Sequence, residues 1–289
     1  MTLSAPTPGT VSAYATLACL LEASAPKPGN VSPGRPFHDM GYADFLASAV
    51  AIGPVLAQAG QRPMGETIRD ALRATRRWSG ANTNLGMVLL LAPLARAALA
   101  GGDGTLRERL HRILHATTVR DAVEVYGAIR EAQAGGMGSV PDQDLSQRPT
   151  VTLLEAMALA ESRDSIAAEY VSDFAITFGT GLPALRTARG AGLPWEDAVV
   201  ETFLILLGAK SDTLIARKLG TQAADAVRDR ARDVLALGGV RSPAGRAEVE
   251  RFDAELRHSH NSRNPGTTAD LTAATLFVAL LEDGWRQER

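Results

Sequence analysis

Apolar residues recur at three- and four-residue intervals along nearly the whole of this 289-residue chain, and this spacing limits the folds open to it. Between Tyr42 and Ala59, for example, Phe45, Ala49 and Ile52 fall on one stripe. A stripe of this kind covers one side of a helix, which then buries it against a core. The spacing therefore predicts a protein of packed α-helices.

The segment Leu85–Leu99 is apolar on almost every side, so it is predicted to be a buried central helix. Strand signals are weak, because no alternating run rich in Val, Ile and Thr occurs and no Asn-Gly or Asp-Gly turn joins two such runs. We expect an all-α protein, a single compact multi-helix domain spanning 1–289. The other predicted helices are Leu106–Leu114, Asp121–Ala132, Val151–Leu159, Asp164–Gly179, Trp195–Gly220, Thr221–Leu237 and Thr268–Asp283.

Charge and composition exclude several classes of protein. The net charge is -2, without a basic stripe, so a nucleic-acid partner is not expected. The longest apolar stretch, Leu85–Ala95, is shorter than the roughly 20 residues that a membrane span needs. The single cysteine, Cys19, excludes an intramolecular disulfide framework. With no signal-peptide pattern, the expected location is cytoplasmic, without a membrane partner. The sequence leaves a homodimer open.

Polar segments interrupt or begin several of the apolar helices. In the first, the Pro- and Gly-rich Pro26–Asn30 loop is followed by Asp39. Lys27 is a candidate phosphate-binding cation, and Asp39 a candidate metal ligand or base. The alternative is a turn with an exposed lysine and a helix-capping aspartate.

The second segment precedes the most hydrophobic helix and contains Asn82, Thr83 and Asn84. One such residue suffices as a helix N-cap. Three in a row are equally consistent with a phosphate site at a helix N-terminus.

The third segment, Lys210–Thr213 with Arg217 and Lys218, lies in an apolar helical run, where an unpaired charge is costly to bury. Asp212 and Arg217 are five residues apart, which is not the spacing of helix-face partners. A metal or phosphate ligand is therefore favoured here.

The fourth segment, Asn261–Asp270, opens the last helix and is dense in hydrogen-bond donors, among them Asn264 and Thr268. This composition suits an anionic ligand. Asp270 is also the kind of residue that a helix dipole favours in a first turn, so a purely structural role stays open.

In chain order, these segments resemble the triphosphoribosyl-dephospho-CoA synthase family, and the resemblance covers nearly the whole chain. Each motif is weak alone, but together and in order they form a strong signal. The motifs are Lys27–Val31, Asp39–Met40, Phe45–Ala49, Asn82–Gly86, Asp212–Thr213 and Asn264–Leu271.

The resemblance implies an all-helical enzyme with ATP as co-substrate. Such enzymes expel adenine and attach the triphosphoribosyl unit of ATP to a hydroxyl of dephospho-CoA through an α-glycosidic bond. Because the base of ATP is β-linked, an α-linked product implies a single in-line displacement without a covalent enzyme intermediate.

The resemblance also implies roles for residues. The expected catalytic carboxylates are Asp39, Asp212 and Asp270, with Asp212 and Asp270 as ligands of Mg²⁺. The expected substrate-binding residues are Lys27, Asn30, Asn82, Thr83, Asn84, Arg217, Lys218, Asn264 and Thr268.

The chain departs from the family pattern in three places and is therefore identified as a divergent member. Asn84 replaces a histidine, Lys218 and Leu219 replace glycines, and Ala134–Val140 lacks the Arg and Glu of the family's central loop. The chain's other acidic candidates are Asp142, Asp144 and the Arg163-Asp164 pair. A pterin-type cofactor precursor is an alternative acceptor. An N-glycoside hydrolase and a non-catalytic ATP-binding sensor are the alternative functions.

Overall fold

Fourteen α-helices form the regular structure of the residues that the computed structural model describes, which are 6–80, 82–132, 142–257 and 261–284. Within these ranges the β-pairing is limited to one isolated bridge between Ser32 and Arg35. The all-α prediction is confirmed. The helices are α1 Pro8–Ser24, α2 Tyr42–Leu56, α3 Met64–Arg76, α4 Leu85–Leu99, α5 Leu106–His115, α6 Val119–Glu131, α7 Leu153–Ala158, α8 Ser165–Val171, α9 Leu182–Gly190, α10 Trp195–Ala209, α11 Thr213–Leu219, α12 Thr221–Ala236, α13 Pro243–Leu256 and α14 Gly266–Asp283.

Helix α4 is the predicted central helix, and its bounds agree with the prediction. It buries twelve of its fifteen residues, because its Leu, Ala, Met and Val side chains leave no polar face. The helix packs against α1, α3, α5 and α14. The core of the protein therefore surrounds α4 on most sides.

Helix α14 is the second deeply buried element, and it packs against α1, α4 and α10. Its buried threonines are satisfied locally. The hydroxyl of Thr272 donates to the carbonyl of Thr268 at 2.8 Å, and that of Thr275 donates to the carbonyl of Leu271 at 2.9 Å. A helix with several hydroxyls can thus lie inside the core.

No helix in the described ranges is long and apolar enough to cross a membrane. The domain span 1–289 stays a prediction.

The predicted helix Trp195–Gly220 is wrong at one point, because it is two helices. Helix α10 ends at Ala209, and Asp212 caps the first turn of α11 by accepting from the backbone N–H groups of Leu214 at 2.9 Å and Ile215 at 3.1 Å. A short side-chain carboxylate competes with helix continuation in this way.

The predicted helix Asp164–Gly179 is also interrupted. Helix α8 ends at Val171, and Asp173 and Phe174 follow with φ of 52° and 58°, a left-handed conformation that stops a helix. A short π-helix, Thr177–Gly181, continues the chain. Helices α1, α3, α9 and α13 were not among the predicted helices.

A buried carboxyl group lies beside this interruption. Glu169 on α8 is fully buried, and its Oε1 accepts from the Thr177 N–H at 3.1 Å. Its Oε2 has no hydrogen-bond partner among the described residues. Burial raises the pKa of Glu169 from 4.5 to about 8. Glu169 is therefore a group whose ionisation opposes folding.

We expect Glu169→Gln to remove a pH dependence of stability. Between pH 4.5 and about 8 the folded chain holds a proton that the unfolded chain has lost. The wild-type free energy of unfolding therefore falls with rising pH in this window, by up to about 1.4 kcal/mol per pH unit from this group. Urea denaturation at several pH values measures the slope. The exposed Glu161→Gln is the control, and equal slopes for wild type and Glu169→Gln would contradict the assignment.

Candidate active site

A cavity of about 450 Å³ opens where several helix ends meet. The first turns of α4, α8 and α14, the last turn of α1 and the second half of α11 border it. Because the free N–H groups and the positive dipole ends of helices lie at their first turns, this convergence favours negatively charged ligands.

The cavity gathers most of the residues predicted from the sequence. Nine of the twelve candidates line it, although they come from four separate segments of the chain. They are Asn30, Asp39, Asn82, Thr83, Asn84, Arg217, Lys218, Asn264 and Asp270. The remaining three, Lys27, Asp212 and Thr268, are buried behind it.

The predicted phosphate-binding role of Lys27 disagrees with its position. Its side chain is buried, and its Nζ lies 2.9 Å from the Glu22 carboxylate. The same Nζ donates to the backbone carbonyls of Glu22 and Ala25. With its charge paired and its donors used, Lys27 has a structural role in this arrangement.

The predicted roles of Asp212 and Thr268 also disagree with their positions. One carboxylate oxygen of Asp212 caps α11, and the other accepts from the Thr268 N–H at 2.7 Å and the Thr268 hydroxyl at 2.8 Å. Both oxygens are thus occupied by protein donors, away from the cavity. Asp212 joins the first turns of α11 and α14 and is not placed to bind a metal ion there.

Asp270 lies on α14 and faces the cavity. No hydrogen bond to its carboxylate is found in the described part of the chain. Burial raises the pKa of Asp270 well above its usual range, and the nearby carboxylates Glu22, Asp212 and Asp164 raise it further. A perturbed carboxyl group that faces a cavity is typical of a functional site.

Gly86, in the first turn of α4, makes this position of Asp270 possible. A Cβ atom on residue 86 would lie 2.0 Å from Oδ2 of Asp270 and 2.8 Å from Cδ1 of Ile166. Only a glycine therefore allows the carboxylate to approach the backbone of α4 so closely.

Glu22 is the site residue that the sequence reasoning missed. It lines the cavity, although it is otherwise buried, and its ion pair with Lys27 holds it in place. Burial raises the pKa of Glu22, and Lys27 counteracts this effect. The sequence did contain a signal for this residue, because Glu22 is the lone charged residue of α1. A carboxylate in such a helix requires either a partner or a ligand.

Two cations of α11 also line the cavity. Arg217 forms an ion pair with Asp164, which caps α8, and its Nε has no partner among the described residues. No ion pair is found for Lys218 within the described ranges. Burial lowers the pKa of Lys218, and Asp212 and Asp39 partly offset this. Lys218 is therefore available to a ligand.

The polar residues before α4 are hydrogen-bonded within the protein and also border the cavity. Asn82 Oδ1 accepts from the Leu85 N–H at 3.2 Å, as a capping residue does. Thr83 and Asn84 bond to the hydroxyls of Ser48 at 2.5 Å and Thr75 at 3.0 Å. These bonds fix the loop that leads into α4, and all three side chains still border the cavity.

Two further oxygen groups border the cavity. Oδ1 of Asn264 is buried without a hydrogen-bond partner among the described residues. Asp39 is half-exposed, with its Oδ1 3.7 Å from Nδ1 of His38. Asn30 also lines the cavity and donates to the Pro28 carbonyl at 3.2 Å.

Helices α6 and α7 form an apolar wall of the cavity. Val125, Ile129, Leu153 and Met157 contribute to it. The remaining acidic candidates, Asp142, Asp144 and the Arg163-Asp164 pair, also line the cavity. The central loop Ala134–Val140 lies outside the described residues.

Comparison with known proteins shows the family of the chain. The model of the ATP:dephospho-CoA triphosphoribosyl transferase family matches residues 8–289. The chain belongs to this family. It is accordingly a transferase that acts on ribosyl groups, as the resemblance implied.

Individual relatives resemble the chain over nearly its full length. The 2-(5''-triphosphoribosyl)-3'-dephosphocoenzyme-A synthase of Klebsiella pneumoniae is 27% identical over 288 residues and covers 92% of each chain. A Citrobacter koseri protein named for the same synthase is 30% identical, covering 92% of this chain and 90% of that one. A crystal structure from Archaeoglobus fulgidus, titled for the same synthase, is 29% identical with a TM-score of 0.63 and covers 83% of this chain and all of that one.

We expect Asp212→Ala to destabilise the protein. The variant loses a helix cap, which costs about 1 kcal/mol, and leaves the buried donors of Thr268 unpaired, which costs about 1–3 kcal/mol. Chemical denaturation should show a decrease in the free energy of unfolding of about 3 kcal/mol. Thr268→Ser keeps the hydroxyl and is the control. Unchanged stability of Asp212→Ala, with activity lost, would instead support the metal-ligand role.

Proposed function

We propose that the chain transfers the triphosphoribosyl group of ATP to a hydroxyl of dephospho-CoA or a related cofactor precursor, with release of adenine. One observation carries this proposal. The cavity combines the carboxyl group of Asp270, for which no hydrogen bond is found in the described ranges, with Arg217 and Lys218 of α11 and the first turns of α4 and α14. A negatively charged donor and a hydroxyl acceptor need this combination.

The triphosphate binds on the cationic side of the cavity in this proposal. Lys218 has no ion-pair partner in the described ranges, and Arg217 lines the same cavity. Charged donors of this kind bind phosphate oxygens strongly. The N–H groups of the first turn of α4 add neutral donors.

Asp39 and Asn264 are the cavity residues that would hold a magnesium ion bound with the triphosphate. Mg²⁺ prefers oxygen ligands and commonly takes one or two from the protein and the others from phosphates and water. The buried Oδ1 of Asn264 has no partner among the described residues, and Asp39 offers a carboxylate on the same cavity. When bound, the ion would neutralise phosphate charge.

Asp270 acts on the acceptor in the proposed reaction. The acceptor oxygen attacks the anomeric carbon from the face opposite adenine, and the carbon–nitrogen bond breaks with its electrons going to adenine. The hydroxyl proton passes to the ionised Asp270 carboxylate, and adenine takes up one proton from water as it leaves. Asp270 then returns its proton to water, so protons balance. A carboxylate whose pKa is raised is a stronger base for this transfer.

Glu22 and Lys27 adjust the pKa of Asp270 in this proposal. The negative charge of Glu22, held by Lys27, raises the pKa of Asp270. The pair is therefore a positioning and electrostatic element.

The apolar wall of α6 and α7 is proposed to contact the acceptor. Dephospho-CoA carries a long, weakly polar arm beyond its nucleotide. Val125, Ile129 and Met157 present a surface of matching polarity.

The proposal is tested by incubating the protein with ATP, Mg²⁺ and dephospho-CoA. We expect free adenine and a product whose mass equals that of dephospho-CoA plus the triphosphoribosyl unit. A panel with a pterin-type precursor identifies a different acceptor. Adenine release at a rate independent of every acceptor would indicate a hydrolase. ATP binding without adenine release from the whole panel would indicate a sensor.

We expect Asp270→Asn to lower kcat by at least about 100-fold, because the acceptor loses its base. KM for ATP should change little, and the melting temperature should not fall, since a neutral side chain removes repulsion from Glu22. In the wild type, the raised pKa of Asp270 displaces the rising limb of the pH–rate profile above the usual carboxyl range. The exposed Asp233→Asn is the matched control. Full activity of Asp270→Asn would exclude this role.

We expect Lys218→Ala to raise KM for ATP at least about tenfold, since one charge-assisted hydrogen bond to phosphate is worth about 1.5–3 kcal/mol. Steady-state kinetics at varied ATP concentration measure the change. Lys210→Ala, which removes an exposed lysine away from the cavity, should leave KM unchanged. Equal effects of the two variants would argue against phosphate binding by Lys218.

A further inference from the structure

A second cluster of ligating side chains lies away from the cavity, on the outer face of α5. His111 and His115 are one helical turn apart, so their rings lie on the same side, with centroids 4.2 Å from each other. Asp173, from the turn after α8, faces them, and its Oδ2 lies 2.9 Å from Nδ1 of His111. One ligand atom from each of the three residues lies within 4.8 Å of the others.

Asp173 is held in this position by its backbone. Its φ of 52° is left-handed, and the guanidinium of Arg107 donates to its carbonyl at 2.9 Å and to the Ser172 carbonyl at 3.1 Å. Arg107 also lies over the ring of Phe178, 5.6 Å from its centroid. The carboxylate is therefore presented to the two histidines by a turn that is fixed on both sides.

We propose that His111, His115 and Asp173 form a binding site for a divalent transition-metal cation such as Zn²⁺. Two imidazoles and one carboxylate are a ligand set that Zn²⁺, Ni²⁺ and Cu²⁺ accept, whereas Mg²⁺ prefers oxygen ligands alone. Zinc bonds of about 2.1 Å place tetrahedral ligands roughly 3.4 Å apart. Small rotations of the exposed histidine side chains bring the observed separation into this range.

The site leaves coordination positions for water, because only three side chains converge. Binding would connect α5 to the left-handed turn between α8 and the π-helix. Since the unfolded chain does not hold these three residues together, a bound cation stabilises the folded state. The proposal is independent of the proposed function, because none of the three residues lines the active-site cavity.

The test is calorimetric titration of the full, untagged, metal-stripped protein with Zn²⁺ in excess Mg²⁺. We expect one equivalent of Zn²⁺ at this site and a rise in melting temperature. His111→Gln, His115→Gln and Asp173→Asn should each weaken binding at least tenfold. Asn tolerates the left-handed conformation of Asp173, so this variant preserves the turn. The matched controls His38→Gln and Asp103→Asn should bind this equivalent as the wild type does.

A second measurement uses the wild-type protein and therefore does not depend on whether the variants fold. In the wild-type protein, Zn²⁺ should shift the imidazole NMR signals of two of the five histidines, those of His111 and His115. Absence of binding, signals shifted only in other histidines, or full binding by the His111→Gln/His115→Gln double variant would overturn the proposal.

Discussion

The arrangement of the active-site cavity depends on the four hydrogen bonds of one carboxylate. Asp212 accepts two from the first turn of α11 and two from Thr268 in the first turn of α14. Helix α11 carries Lys218, and α14 carries Asp270. One side chain therefore joins the starts of the two helices that bring these groups to the cavity. Asp212 is thus important to the site without lining it.

The cost of burying a charge explains why several charged groups around the cavity are paired. A buried charge is costly unless it is paired, and Glu22 is paired with Lys27 and Asp164 with Arg217. Asp270 has no such ion pair within the described ranges, and Lys218 has none either. Both groups line the cavity, where the exposed Lys218 can meet an anionic substrate. We regard this difference between paired and unpaired groups as the main physical argument for the location of the reaction.

The sequence predicted the helical class and the central helix well, because these follow from local patterns. The bounds of α4 could be read from a run of apolar residues that no loop interrupts. The break between α10 and α11 could not, since the surrounding residues are apolar and the cap depends on Asp212 turning back to the backbone. The motifs also located most of the cavity, although they come from distant parts of the chain. They did not separate residues facing a ligand from residues supporting them. Lys27 and Asp212 look like ligands in sequence, and their partners Glu22 and Thr268 become evident only when the helices are packed.

The contact between α4 and α14 has an evolutionary consequence. Residue 86 has no room for a side chain while residue 270 carries a carboxylate directed at it. Any substitution at one of the two positions therefore alters the requirement at the other. Homologous chains that gain a side chain at position 86 should have lost the acid at 270 or moved it, and with it the chemistry assigned to it. A side chain at position 86 is therefore expected only where position 270, 184 residues away in sequence, no longer carries this acid.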